Sequence, residues 1–214
     1  MNLKLVIFDC DGVLVDTEVL FNQALVEDLA AHGLSLTLDQ CMGLFVGGTM
    51  SGVKSKAEQL GAMLPDTWVE DFYIKVYKLL GERTESIAGI EGALDAIERS
   101  GIPYCVASNG RIAKMEITLG RTGMLERFKD VMFSAQALGT AKPAPELFLA
   151  AARNFGVSPD ECVVIEDSPT GVLAAKHAGM KCYGYAPHDD GQALAAEQAI
   201  IFKDMSELPV LLGL

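Results

Sequence analysis

Six short, apolar, β-branched runs recur along the chain: Leu3 to Phe8, Tyr104 to Ala107, Val131 to Phe133, Cys162 to Ile165, Cys182 to Tyr185 and Ala199 to Phe202. Each is followed by turn residues and then a longer stretch of helical period, which is the signature of βα alternation. The runs are continuously apolar instead of alternating, so both faces of the sheet should be buried. A mainly parallel sheet with helices on either side satisfies that requirement. The expected fold class is therefore α/β, and ligands should collect at the carboxyl ends of the strands.

One interval breaks the rhythm. The stretch between the first run and Tyr104 is far longer than a single crossover needs. Within it, Thr17 to about Arg83 reads as helical, with apolar stripes such as Leu20, Ala24, Leu25, Leu29 and Phe72, Val76, Leu79, Leu80, punctuated by Gly33, Gly47, Gly48, Gly61 and Gly81. The pattern predicts a helical domain over 17–83 inserted into a core of 1–16 and 84–214. Its linkers are expected near Val15 to Glu18 and Gly81 to Ser86.

Composition narrows the class of partner. Seventeen Lys plus Arg against 29 Asp plus Glu leave a net charge of −12, so the chain repels a phosphate backbone and nucleic acid is not expected. No apolar run approaches the roughly 18 residues that span a bilayer, and Leu5 to Phe8 meets Asp9 at once, so neither a membrane segment nor a signal peptide is expected. The five cysteines, Cys10, Cys41, Cys105, Cys162 and Cys182, contain no C-x-x-C pair. They read as small core hydrophobes in a reducing, cytoplasmic compartment.

Four of the turns carry chemistry. The first run opens into Asp9-Cys10-Asp11-Gly12, where two carboxylates at i and i+2 face one side of the chain. Such a pair repels itself, and a hard divalent cation with oxygen ligands relieves the repulsion; the alternative is a solvated turn. The second run leads into Ser108-Asn109-Gly110-Arg111, which suits anion binding or, as simply, helix capping. Lys142 stands just before Pro143 and Pro145, which mark a helix start, so it occupies a defined loop position although most loop lysines are merely solvated. The fourth run ends in Glu166-Asp167-Ser168-Pro169, an acidic pair ahead of a helix whose dipole it also favours.

Together these residues resemble the four motifs of the haloacid dehalogenase superfamily, in its branch of magnesium-dependent phosphatases and phosphomutases with a helical cap. Asp9-Cys10-Asp11-Gly12-Val13-Leu14-Val15-Asp16-Thr17-Glu18 carries most of the likeness, and Ser108-Asn109, Lys142-Pro143 and Glu166-Asp167-Ser168 complete it. The resemblance implies a Rossmann-like core with an inserted α-helical cap. It implies Asp9 as nucleophile, forming an aspartyl phosphate, and Asp11 as general acid and then general base. By the same likeness Mg²⁺ would be held by Asp9, the backbone carbonyl of Asp11 and Asp167, with Glu166 as a further contributor. Ser108 and Asn109 would hold the phosphoryl oxygens, Lys142 would bridge them to Asp9, and closure of the cap would exclude bulk water.

The implied activity is hydrolysis of a small phosphorylated metabolite, a sugar or polyol phosphate. A β-phosphoglucomutase is the nearest alternative, but its cap histidine and Gly-x-x-Arg are missing from Val19-Leu20-Phe21-Asn22 and Gly47-Gly48-Thr49-Met50. Asp11 argues against dehalogenation, and the lack of lysine between Lys4 and Lys54 argues against phosphonate cleavage. A non-catalytic phosphoacceptor switch of the receiver type needs only about half this length. Specificity would lie in the cap, where Phe21, Gly48, Thr49, Lys54, Lys75 and Lys78 are candidates whose plainer reading is core or solvated face. His32, His177 and His188 show no metal spacing, and a monomer is the default expectation.

Overall fold

The computed structural model describes residues 2–45 and 49–214. Six strands form one parallel sheet: β1 (Leu5–Phe8), β4 (Tyr104–Ser108), β5 (Met132–Ser134), β6 (Cys162–Glu166), β7 (Lys181–Tyr185) and β8 (Ile200–Phe202). Their order is β5-β4-β1-β6-β7-β8, so β1 is central and the chain winds outward on both sides of it. This topology sets the carboxyl ends of β4 and β6 on either side of the residue that follows Phe8.

The continuous apolar runs are explained by the two faces. Val6 and Phe8 point into a cluster with Val106, Ile165, Leu94, Met115 and Phe128, whereas Leu5 and Ile7 point the other way, toward Cys105, Val164, Leu147, Phe148 and Val172. All four β1 side chains are fully buried. Burial of each contributes about 1.5–3 kcal/mol, which fixes strand and register together. The covering helices are α5 (Ile90–Ser100), α6 (Ile112–Arg121), α7 (Leu125–Phe128), α8 (Glu146–Phe155), α9 (Pro169–His177), α10 (Gln192–Ala196) and α11 (Leu208–Leu212).

Several boundaries differ from the sequence expectation by a residue or two. The second and fourth strands run on through Ser108 and Glu166, because Ser108 pairs with Ser134 and Glu166 with Gly184. The third begins at Met132 rather than Val131, in register with Val106. The first starts at Leu5 and the last at Ile200.

The chain divides into two compact units, Met1–Asp16 with Glu85–Leu214, and Thr17–Thr84. The first unit includes a short antiparallel ribbon of β2 (Val15–Asp16) and β3 (Glu85–Ser86), paired Val15 to Ser86 and Asp16 to Glu85. The second unit is helical: α1 (Glu18–Ala31), α2 (Leu38–Phe45), α3 (Met50–Gln59) and α4 (Trp68–Arg83). A linker was expected from Gly81, but α4 continues through Gly81 to Arg83. The helix is held there by its buried stripe of Trp68, Phe72, Val76 and Leu80, which outweighs the penalty of about 1 kcal/mol for one helical glycine.

Inside the helical unit the Trp68 ring stacks on Phe72 with centroids 5.6 Å apart, and Phe21 meets Phe72 edge-on at 5.4 Å. Asp28 is buried beneath them. Its carboxylate accepts from Trp68 Nε1 and from Lys75 Nζ, each at 2.6 Å, and lies 3.4 Å from His32 Nδ1. Of the specificity candidates, Phe21 and Lys75 are thus engaged within this unit. Lys54 reaches the Asp66 carbonyl, Thr49 caps α3 by accepting from Gly52 N–H, and Lys78 is exposed. Gly47 and Gly48 lie outside the described residues.

Candidate active site

Asp9 is the first residue beyond β1 and remains tied to the sheet, its N–H donating to the Ile165 carbonyl at 2.9 Å. Cys10 turns its side chain into the core, so Asp9 and Asp11 are left on the opposite side, as the i, i+2 spacing requires. The chain then reverses through Gly12, whose N–H donates to the Val15 carbonyl at 2.8 Å. Gly12 is required twice over. Its φ of +76° is a left-handed conformation, and a Cβ there would lie 1.8 Å from Asp167 Oδ2.

Asp9 is not a solvated turn residue: it is only 7% exposed. Its carboxylate is paired with the ammonium of Lys142, which is itself buried and also donates to Glu166 Oε1 at 2.6 Å. The solvated-loop alternative for Lys142 is therefore wrong. Glu166 is fully buried, and its other oxygen accepts from Asp167 N–H at 3.0 Å, Ser168 N–H at 2.9 Å and Ser168 Oγ at 2.8 Å. The start of α9 thus grips one end of Glu166, and Glu166 grips Lys142. Gly171, in the first turn of α9, makes room for this carboxylate, since a Cβ there would fall 1.8 Å from Glu166 Oε1.

Ser108 and Asn109 are not helix caps. The helix they precede begins at Ile112 with Arg111 as its cap residue. Ser108 is buried and its Oγ accepts from Gly110 N–H at 3.0 Å, while Asn109 Oδ1 accepts from the backbone N–H of Lys142 at 2.9 Å. Asn109 therefore ties the β4 loop to the Lys142 loop. Ser134, at the end of β5, braces the same turn by donating to the Gly110 carbonyl at 2.7 Å.

Carboxylate oxygens of Asp9, Glu166 and Asp167 lie within 4.8 Å of one another. Burial pushes the Asp9 carboxyl up to about 7; Lys142 opposes that rise, and Glu166 and Asp11 add to it. Burial disfavours the Lys142 ammonium, yet Asp9 and Glu166 more than offset this and its pKa is raised. Three crowded carboxylates beside this ammonium form an oxygen-rich donor set, which suits a hard divalent cation. The sequence-identified residues Asp9, Asp11, Ser108, Asn109, Lys142, Glu166 and Asp167 all belong to the same unit and the same sheet edge.

Sequence reasoning missed Lys114. Its Nζ donates to Asp11 Oδ1 at 2.7 Å, and although burial disfavours its charge, Asp11 holds its pKa above the usual value. The only signal was a basic residue in the first turn of the helix after Ser108-Asn109, a position where lysines are commonly solvated. Sequence reasoning also gave Glu166 only a prospective ligand role, whereas its observed partners make it the support of Lys142.

Comparison with known proteins gives the family. The family model described as haloacid dehalogenase-like hydrolase matches residues 3–179. The 6-phosphogluconate phosphatase of Escherichia coli (strain K12) is 30% identical over 211 residues, 98% of this chain and 94% of that protein. A phosphorylated carbohydrates phosphatase of Thermotoga maritima is 30% identical over 212 residues, 96% of each chain. The crystal structure of a hydrolase of this family from Deinococcus radiodurans R1, with bound phosphate and sodium, superposes with a TM-score of 0.82 at 29% identity, over 99% of this chain and 96% of that one. The chain belongs to the haloacid dehalogenase-like hydrolase family.

Proposed function

We propose that the protein is a Mg²⁺-dependent phosphatase that hydrolyses a small phosphorylated metabolite, a sugar or polyol phosphate, through an aspartyl phosphate on Asp9. It is a phosphoric monoester hydrolase, as family membership and phosphatase relatives spanning nearly the whole chain support. The observation that carries the mechanism is the cluster of Asp9, Glu166 and Asp167 oxygens at the carboxyl edge of the sheet, with Asp9 and Glu166 buried against Lys142. The substrate class rests on the relatives, which act on 6-phosphogluconate and on phosphorylated carbohydrates.

In this reading Asp9, Asp167 and the backbone carbonyl of Asp11 hold the Mg²⁺. When bound, the ion offsets the negative charge shared by the carboxylates and the phosphoryl oxygens. Asp9 attacks phosphorus and becomes the aspartyl phosphate. Lys142 opposes protonation of the nucleophile and meets the incoming anion, while Glu166 holds Lys142 in place. Ser108 and Asn109 fix the phosphoryl oxygens. Asp11 gives a proton to the leaving alkoxide and later takes one from the water that cleaves the acyl phosphate.

The test is a panel of phosphorylated metabolites with inorganic phosphate as the readout. Release should require Mg²⁺ and stop with EDTA. A chain that liberates no phosphate from any sugar or polyol ester refutes the substrate class. Incubation with β-glucose 1-phosphate and a bisphosphate primer distinguishes a mutase, which would yield glucose 6-phosphate in place of free phosphate and sugar.

A further inference from the structure

We propose that Lys114 is a positioning residue that fixes the Asp11 carboxylate at the point from which it serves the leaving-group oxygen. The inference rests on the phosphatase reading and deepens it.

Asp11 sits on the loop after β1, whereas Lys114 belongs to the first turn of α6, a regular helix of 10 residues, 103 positions later in the chain. The ammonium lies 2.7 Å from Asp11 Oδ1, with the lysine side chain 14% exposed and the aspartate 28%. A pair of this kind, partly withdrawn from water, adds little net stability, because desolvation of both ions consumes much of the Coulombic gain. What it does supply is direction: a carboxylate on a turn is attached to a helix packed against the sheet through Met115 and Leu119.

The surroundings place this pair beside the phosphate-holding residues. A Cβ built on Gly110 would lie 3.3 Å from Ser108 Oγ, 3.6 Å from Lys114 Cδ and 4.0 Å from Asp11 Oδ2. Ser108 and the Lys114–Asp11 pair thus meet around Gly110 in one small region of the sheet edge. Lys114 Nζ donates to Asp11, whereas Lys142 Nζ donates to Asp9 and Glu166. The site therefore has two cations with separate duties, Lys142 for the nucleophile and Lys114 for the proton carrier.

The chemistry that needs this arrangement is the first transfer. The bond from Asp9 oxygen to phosphorus forms as the bond from phosphorus to the leaving oxygen breaks, and that oxygen takes the Asp11 carboxyl proton. In the second step Asp11 recovers a proton from the attacking water, so the cycle closes with one water consumed. An alkoxide leaving group depends heavily on the proton, whereas a 4-nitrophenolate, being a weak base, departs without it.

The experiment compares kcat/KM of wild type and Lys114→Met on a sugar phosphate and on 4-nitrophenyl phosphate with Mg²⁺, since kcat/KM reports the steps through leaving-group departure. A displaced acid should lower the sugar phosphate value about 100-fold and the aryl value less than about 3-fold. Lys114→Arg, which keeps the cation, should recover most of the sugar phosphate activity. Equal losses on both esters, or no loss on either, overturn the inference while the phosphatase reading stands. A wild-type protein inactive on both esters overturns the reading and the inference with it. If Lys114→Met does not fold, Lys114→Gln is measured in the same way and judged by the same ratio.

Discussion

Among the described residues, acidic side chains are buried in two places, and the surroundings of the two could hardly differ more. In the helical unit Asp28 is matched: Trp68 and Lys75 donate to its carboxylate, and His32 Nδ1 bonds its backbone carbonyl at 2.8 Å and lies 3.4 Å from the carboxylate. At the carboxyl edge of the sheet, Asp9, Glu166 and Asp167 crowd within 4.8 Å of one another around Lys142. Desolvating an acid is costly in both cases. The Asp28 cluster offsets that cost with neutral and cationic donors, as a structural element does. The edge cluster crowds three carboxylates beside one ammonium and drives the Asp9 pKa up, and an acid perturbed in this way is a sign of a group that takes a cation or a reaction. The contrast predicts that changes at the edge act on turnover, whereas changes around Asp28 act on stability.

The largest effect should come from the nucleophile. Asp9→Asn keeps the shape and burial of the side chain but cannot form an acyl phosphate, and turnover should fall at least about 10⁴-fold, as when a nucleophile is removed from other covalent catalysts. Phosphate release measures it, and an unchanged melting temperature shows that the fold has been kept. Undiminished turnover would remove Asp9 from the chemistry and erase the contrast between the two clusters.

Next comes the coupling of cation and proton at the edge. Without metal, the Asp9 carboxyl is raised from 3.8 to about 7, so the folded state holds this proton more tightly than the unfolded chain. The stability it contributes is fully present below about pH 4 and is lost as pH rises through about 7, up to about 4 kcal/mol at 1.36 kcal/mol per pH unit. A cation held by Asp9 competes with that proton. Magnesium affinity should therefore climb about 50-fold from pH 5 to pH 7 and level off above about pH 8, at about 100-fold. Thermal shifts in EDTA and in Mg²⁺ across this range measure both trends. An affinity independent of pH would mean that Asp9 is not a ligand.

A smaller and more indirect effect is expected from Gly171→Ala. Alanine is favoured over glycine in a helix by about 1 kcal/mol, so propensity alone would make this change stabilising. The new methyl, however, would lie 1.8 Å from Glu166 Oε1, and Glu166 is fully buried and held by three donors on its other oxygen. The carboxylate must shift and take Lys142 with it. Displacement by about 1 Å of a group that serves the nucleophile should cost about 10- to 100-fold in kcat. A variant with full activity would mean that Glu166 does not position Lys142.

These predictions draw on features that were unequally legible in the sequence. The grouping of Asp9, Asp11, Ser108, Asn109, Lys142 and Asp167 at one edge follows from apolar runs ending in polar turns, because a parallel sheet leaves those turns on one side, whereas the strand order that makes the Asp9 and Asp167 strands neighbours is not written in the runs. Lys114 and the double engagement of Glu166 were not legible. Both depend on side-chain direction between elements far apart in the chain, which local periodicity does not encode. Ser108 and Asn109 illustrate the same limit: by composition they pass for a helix cap, and only the start of α6 at Ile112 and the Asn109 bond to Lys142 N–H give them another role. Gly81 erred in the opposite direction, as a local breaker overridden by burial of Val76 and Leu80.

The smallest effect on turnover should come from the matched cluster. Asp28→Leu removes the acceptor of Trp68 Nε1 and strands that N–H in a buried site, while Lys75, 64% exposed, can turn to water. One unpaired donor costs about 1–3 kcal/mol, and the surface lysine adds little, so a loss near 2 kcal/mol is expected. Asp28→Asn retains an acceptor for the indole and should lose roughly half as much. Urea unfolding measures both, as a shift in midpoint at constant slope. Turnover per folded molecule should change less than about 3-fold, because a balanced carboxylate has no charge left to contribute to chemistry. A large loss of kcat with stability intact would show that the Asp28 cluster, too, takes part in the reaction, and charge balance would then not separate structural acids from reactive ones in this protein.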